Sequence, residues 1–217
     1  MSNSPLIMTS YADYLFLLSP PEPVKNEIAR YKKASVKYIG EFNSMQSPAH
    51  ITINQLERQK PYMVDTAFER IENTLQAMPP VLLHLDGFKH FTHLHSKFTI
   101  YAYIRSTPAM EDWLALLRKN LNIKKAVVPH ITVVRNVPEA DFNKLWPNFK
   151  HKKLVEPFWI YELKILQRET FGTTAGKWEP YKTIRFKNTA GFANKNNWTV
   201  KKQAEAEIAQ RKQIKLF

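Results

Sequence analysis

The 217-residue chain sets 32 lysines and arginines against 19 acids, a formal net charge of +13, and contains no cysteine. That length can bury a substantial core in one compact domain, of one lobe or two, and the missing cysteine excludes disulfide frameworks, thiolate nucleophiles and cysteine-ligated zinc. Chemistry must come from histidine, acids or hydroxyls, and the basic excess points to a polyanionic partner, nucleic acid first, although part of the lysine can serve solubility alone.

Tyr14 to Leu18 is a continuous apolar run closed by Ser19, Pro20 and Pro21, which predicts a buried strand entering a turn. Val24, Ile28 and Tyr31 recur at helical spacing, and Val36 to Phe42 reads as an extended or loop segment leading away. After the short run Ala49 to Ile53, the stripe Val64, Phe68, Ile71, Leu75 and Met78 marks the clearest helix, stopped by Pro79 and Pro80. Val81 to Leu85 and Lys97 to Ile104 read as strands of a hairpin with a loop-like stretch between them. A second amphipathic helix spans Glu111 to Leu121, followed by a strand over Ala126 to Val134 and a short helix over Phe142 to Phe149. Phe158 to Leu166 and Tyr181 to Phe186 read as the closing strands, separated by a segment that includes the glycine-containing stretch Phe171 to Gly176. The core is expected to end near Lys187, giving a domain over 1–187 and a basic extension over 188–217, helical from Thr199. Strand, helix, strand, helix, strand thus appears twice, as in an internal pseudo-repeat.

No apolar stretch is long enough to cross a bilayer, and the opening MSNSPLIMTS lacks the basic-then-apolar pattern of a secretory leader. A soluble, cytoplasmic protein without membrane contact is expected.

Two of the short strands read Ala49-His50-Ile51-Thr52-Ile53 and Pro129-His130-Ile131-Thr132-Val133. Alternation along a strand puts His50 with Thr52, and His130 with Thr132, on one face and the aliphatic residues on the other. If the aliphatic face is core, two such strands side by side line a cleft. A phosphodiester needs a base for the attacking hydroxyl or water, an acid for the leaving oxygen, and donors for the nonbridging oxygens. Two imidazoles divide the first two tasks near neutral pH and two threonine hydroxyls supply the third, so no metal and no cofactor is called for. His90-Phe91-Thr92 also satisfies the bare His-x-Thr pattern, but it falls in a loop-like stretch and lacks the following β-branched residue, which makes it a decoy.

The paired motifs resemble those of the two-histidine phosphoesterase superfamily, and within it the bacterial 2′-5′ RNA ligase and RNA cyclic phosphodiesterase branch. HITI at 50–53 and HITV at 130–133 match its HxTx hallmark, and HITVVR ending at Arg135 resembles the branch's second motif. LDGFKHF at 85–91 and LQRETFGTTAGKWEPYKTIRF at 166–186 resemble the segment before the central strand and the closing hairpin. The resemblance implies an α+β fold, bilobal and pseudo-symmetric, with two antiparallel sheets, outer helices and a central cleft. It implies a metal-independent phosphodiesterase acting on 2′,3′-cyclic phosphate or 2′-5′ linkages of RNA, with His50, Thr52, His130 and Thr132 as the catalytic set. The first motif departs from the family by continuing as NQLERQK, and the basic extension is additional, so the substrate stays open between RNA and a small cyclic nucleotide. A noncatalytic RNA-binding protein of the same fold is the competing class.

Three further residues are candidates for substrate contact. Strict alternation puts Arg135 on the Ile131 face, in an ion pair, unless a bulge turns it toward phosphate. Phe91 either stacks on a base or simply packs, and Lys182 either borders the cleft or sits on a solvated strand edge. Tyr101, Tyr103, Trp159 and Tyr161 read as sheet packing. The cluster His84, His90, His93 and His95 invites a metal reading, but few nearby carboxylates complete a ligand set. A monomer working on RNA or a nucleotide phosphodiester is expected.

Overall fold

The computed structural model describes residues 11–126, 128–171 and 177–189. Thirteen elements follow in order. Strand β1 (Ala12–Leu18), helix α1 (Glu22–Ile39), β2 (Ile51–Gln59), α2 (Pro61–Gln76) and β3 (Val81–His93) form the first run. A short 3-10 turn (Leu94–Ser96) leads to β4 (Lys97–Ile104), α3 (Pro108–Asn120), β5 (His130–Pro138), α4 (Glu139–Lys150) and β6 (Val155–Ile160), the same alternation again. Strands β7 (Glu162–Glu169) and β8 (Glu179–Arg185) are the last elements among the described residues.

The strands form two four-stranded antiparallel sheets, ordered β2-β1-β7-β8 and β5-β4-β3-β6. Each sheet has its motif strand, β2 or β5, at one edge and the first strand of its half beside it. Phe16 of β1 stacks on Phe68 of α2, and Phe88 of β3 packs between Tyr31 of α1 and Phe149 of α4. Trp113 of α3 is fully buried and donates from Nε1 to the Pro79 carbonyl at 2.8 Å. One continuous core therefore lies between the sheets' inner faces and the helices.

Several expected boundaries are corrected. Helix α1 runs on through Val36 to Ile39, because Val24, Ile28, Lys32 and Ser35 are all buried and extend its inner face by two turns. The stretch after Leu85 is strand, not loop: β3 pairs with β4 from Leu85 to His93 across a bulge at Asp86 and Gly87. The strand expected over Ala126 to Val134 begins at His130 and continues to Pro138. Phe158 to Leu166 is two strands in different sheets, parted at Tyr161, where the buried positions change from Phe158 and Ile160 to Leu163 and Ile165. The helix expected within 199–217 lies outside the described residues.

The β3 bulge turns on Gly87, whose φ of 73° is in the left-handed region, with its N–H bonded to the Leu154 carbonyl at 2.9 Å. A Cβ there would meet only the Lys152 carbonyl oxygen, at an ordinary 3.5 Å, so the penalty for a side chain is one of backbone conformation. Gly87→Ala is expected to cost about 1–2 kcal/mol of stability, read as a lower urea midpoint with unchanged m.

Candidate active site

Both motif strands carry a bulge at the same point. Leu17 pairs with Thr52 and Phe16 with Asn54, so Ile53 is the extra residue. Tyr101 pairs with Thr132 and Ile100 with Val134, so Val133 is the extra residue. Ile51, Ile53, Ile131, Val133 and Val134 are all buried, which holds the histidines and threonines on the opposite face. The bulge on β5 reverses the alternation beyond it and brings Arg135 round to the face of His130 and Thr132. A second irregularity follows at Asn136, which has φ of 57° and whose N–H is taken by the Thr99 hydroxyl at 3.0 Å.

The two histidines and two threonines line one cleft of about 330 Å³, together with Lys32, Phe91, His93, Thr99 and Arg135. His50 Nδ1 lies 2.8 Å from the carbonyl oxygen of Pro48, and His130 Nδ1 lies 2.8 Å from that of Val128. A carbonyl only accepts, so Nδ1 carries the proton in each neutral ring and Nε2 keeps its lone pair. The same i–2 clamp in both lobes fixes the same tautomer, which leaves each Nε2 as the atom able to take or return a proton.

Burial pushes both imidazoles below their ordinary titration range. The backbone carbonyl opposes this in each case; nearby Lys32, Arg135 and His130 lower His50 further, and Arg135 lowers His130. Lys32 itself is 3% exposed and is brought down to about 8 by burial. Its ammonium donates to the carbonyls of Ser44 and Ser47 at 2.8 and 2.7 Å, and among the described residues no carboxylate is paired with it. Ser44 Oγ in turn donates to the Val133 carbonyl on the β5 bulge at 3.3 Å, tying the segment before His50 to the other lobe. Neutral imidazoles facing unpaired cations make a cleft suited to an anion.

Phe91 reaches the cleft, stacked on Tyr101 at 4.2 Å and edge-on to His130 at 5.0 Å. Lys182 does not: it faces α2, where its ammonium meets Glu72 at 2.6 Å. The ion pair forms because Lys182 shares the side of β8 that pairs with Ile165, a core residue. His90 belongs to β3 rather than to the loop-like stretch expected, and its ring packs on Phe98, Phe142 and Trp146 instead of lining the cleft. His93 faces the cleft and meets Thr99 at 2.9 Å. Among the described residues no three His, Asp or Glu side chains converge as metal ligands. Sequence reasoning missed Lys32, although it continues the buried Val24 and Ile28 line at a further four residues.

These charges make a directional prediction for the imidazoles. Followed by NMR, both histidines should titrate below 6.5; Arg135→Gln should raise both midpoints, and Lys32→Met that of His50. Because their folded values are depressed, the stability they contribute is present above about 6.5 and is lost as pH falls through the lowered values.

The family model of the 2′-5′ RNA ligase superfamily matches residues 20–172. No curated protein matches the chain. Among solved structures, that of LigT from E. coli complexed with phosphate is similar at 14% identity and a TM-score of 0.54, over 82% of this chain and 98% of that one. The E. coli LigT structure complexed with 3′-AMP gives 14% identity and a TM-score of 0.56, over 81% of this chain and 98% of that one. TT0787 of Thermus thermophilus gives 13% and 0.56 over the same shares, 81% and 98%. At these identities the structures speak for the fold alone, and they share the two-sheet α+β architecture expected from the sequence. With the family model covering most of its length, the chain belongs to the 2′-5′ RNA ligase superfamily of two-histidine phosphoesterases.

Proposed function

We propose that the chain is a metal-independent phosphodiesterase that opens a 2′,3′-cyclic phosphate at the end of an RNA strand. The observation that carries this reading is the pair of identically clamped imidazoles facing one cleft. In the forward reaction one Nε2 accepts a proton from water as its oxygen bonds to phosphorus. The other imidazole, protonated, gives its proton to the ester oxygen that leaves, so one P–O bond forms and one breaks. Thr52 and Thr132 donate to the nonbridging oxygens, and Arg135 and Lys32 offset the charge that gathers there.

Depressed imidazoles suit the base, which must be neutral, and leave the acid to be charged when a phosphate enters. The incoming phosphodiester monoanion offsets the field of Arg135 and Lys32 and so raises the pKa of the partner histidine back toward its ordinary range. The two groups titrate as a coupled pair, and a bell-shaped rate profile belongs to the pair rather than to either ring. With a ribose 5′-hydroxyl in place of water as the nucleophile, the same forward exchange of protons breaks the bond from phosphorus to the 3′-oxygen and forms a 2′-5′ linkage; attack of the 3′-hydroxyl on that linkage is the reverse. The cleft volume admits about one nucleotide, and the E. coli LigT structure with 3′-AMP is a relative of the same fold holding a ligand of that size.

Hydrolysis of a short RNA bearing a 2′,3′-cyclic phosphate, with chelator present, tests the mechanism. His50→Ala and His130→Ala should each lower kcat by about a hundredfold to ten-thousandfold, and full turnover by both would end it. Thr52→Val and Thr132→Val, which keep the strand shape, should each lose about tenfold to a hundredfold in kcat/KM.

A further inference from the structure

The sheet that carries His130 extends beyond the cleft, and its open face has a composition that catalysis does not use. Tyr103 on β4 pairs directly with His130 on β5. On the next strand the His84 carbonyl accepts from Arg105, and β6 then places Pro157 opposite His84 and Trp159 opposite Leu82. Alternation gives Tyr103, His84 and Trp159 one common face. The Lys89 ammonium lies 3.3 Å above the Tyr103 ring, and Tyr161, at 58% exposure, continues the strip with its ring centroid 6.3 Å from that of Trp159. Three strand spacings, roughly 14 Å across the sheet, and a register offset of about four residues, roughly 13 Å along the strands, separate His130 from Trp159.

We propose that this face is a track for single-stranded RNA leading away from the scissile phosphate, bases stacking on Tyr103, Trp159 and Tyr161 while Lys89 meets the backbone. The proposal rests on the phosphodiesterase reading and names its substrate as a strand rather than a free nucleotide. Rings interleaved with a cation on an open sheet give stacking that tolerates any base, together with charge complementary to phosphate. The track is continuous with the cleft, because Tyr103 is the cross-strand neighbour of His130. An added peptide strand fits less well: β6 is the sheet edge, and Pro157 removes a donor from it. Asp86, exposed at the β3 bulge, is the acid on this face, and the phosphate path must pass on the Lys89 side of it.

The test compares Trp159→Ala, Lys89→Ala and the double variant with the unaltered chain. Affinity for a short labelled oligoribonucleotide is read by anisotropy, and kcat/KM is read for the same oligomer ending in a cyclic phosphate and for adenosine 2′,3′-cyclic monophosphate. Trp159→Ala should weaken oligomer binding about tenfold, Lys89→Ala should flatten its salt dependence, and turnover of the mononucleotide should not change. Unchanged oligomer affinity in all variants overturns the track. Equal losses on both substrates also overturn it, since they would mark a disturbed cleft. Self-association that Trp159→Ala abolishes, with RNA affinity unchanged, gives the face to a second copy and overturns it too. If the unaltered chain turns over neither substrate yet binds RNA through Trp159 and Lys89, the track stands and the phosphodiesterase reading falls. Lys89 is exposed, so its variant keeps the test decisive should Trp159→Ala fail to fold.

Discussion

Each lobe depends on a strand that must do two things at once: bury its aliphatic side chains and present polar ones in fixed positions. A regular strand achieves both by alternation, but it gives every second residue to the core without exception. The extra residue at Ile53 and at Val133 relaxes that constraint at one point in each lobe. Upstream of it the His and Thr are held by the buried isoleucine between them, and downstream on β5 it lets Arg135 face the cleft. Without the β5 bulge, the guanidinium would be aimed at a core of Val133 and Val134.

The electrostatics of the cleft follow from the same placement. Strand ends that hold the imidazoles against their own backbone carbonyls also shelter them from water, which favours the neutral ring. Lys32 adds a cation whose remaining hydrogen bonds go to carbonyls rather than to a carboxylate, so its charge is oriented but not neutralised. In the proposed reaction, an entering phosphate supplies the missing negative charge, and the empty and occupied clefts then differ in protonation as well as in contents.

Much of this was legible in the sequence because the two motifs repeat residue for residue in matching strand context. Helix α2 was equally legible, its five-residue stripe leaving no rival period. What escaped reading was parity. In Phe158 to Leu166 the apolar positions change from even to odd at Tyr161, the mark of two strands, yet composition alone looks continuous. Val133 and Val134, two consecutive core residues, were the sign of the bulge that turns Arg135. Lys32 was hidden by its charge: a lysine on a helix's inner line reads as surface unless backbone carbonyls are known to await it. Lys182 erred the other way, since the acid that claims it, Glu72, lies on a helix distant in sequence.

The strand order carries a consequence for how the chain comes together. The sheet of β3 to β6 is built from consecutive elements, so it can close while the rest is still being made. The other sheet cannot: β1, almost wholly apolar, pairs with β7 along its entire length, Phe16 against Ile165, and β7 is made only after all four strands of the first sheet. Until then a nascent chain holds an apolar strand with one open edge, the kind of surface that invites chaperones or aggregation. Such long-range pairing also slows folding. The sheet bearing His50 is thus the later of the two to close, although its strands β1 and β2 are translated before the other sheet.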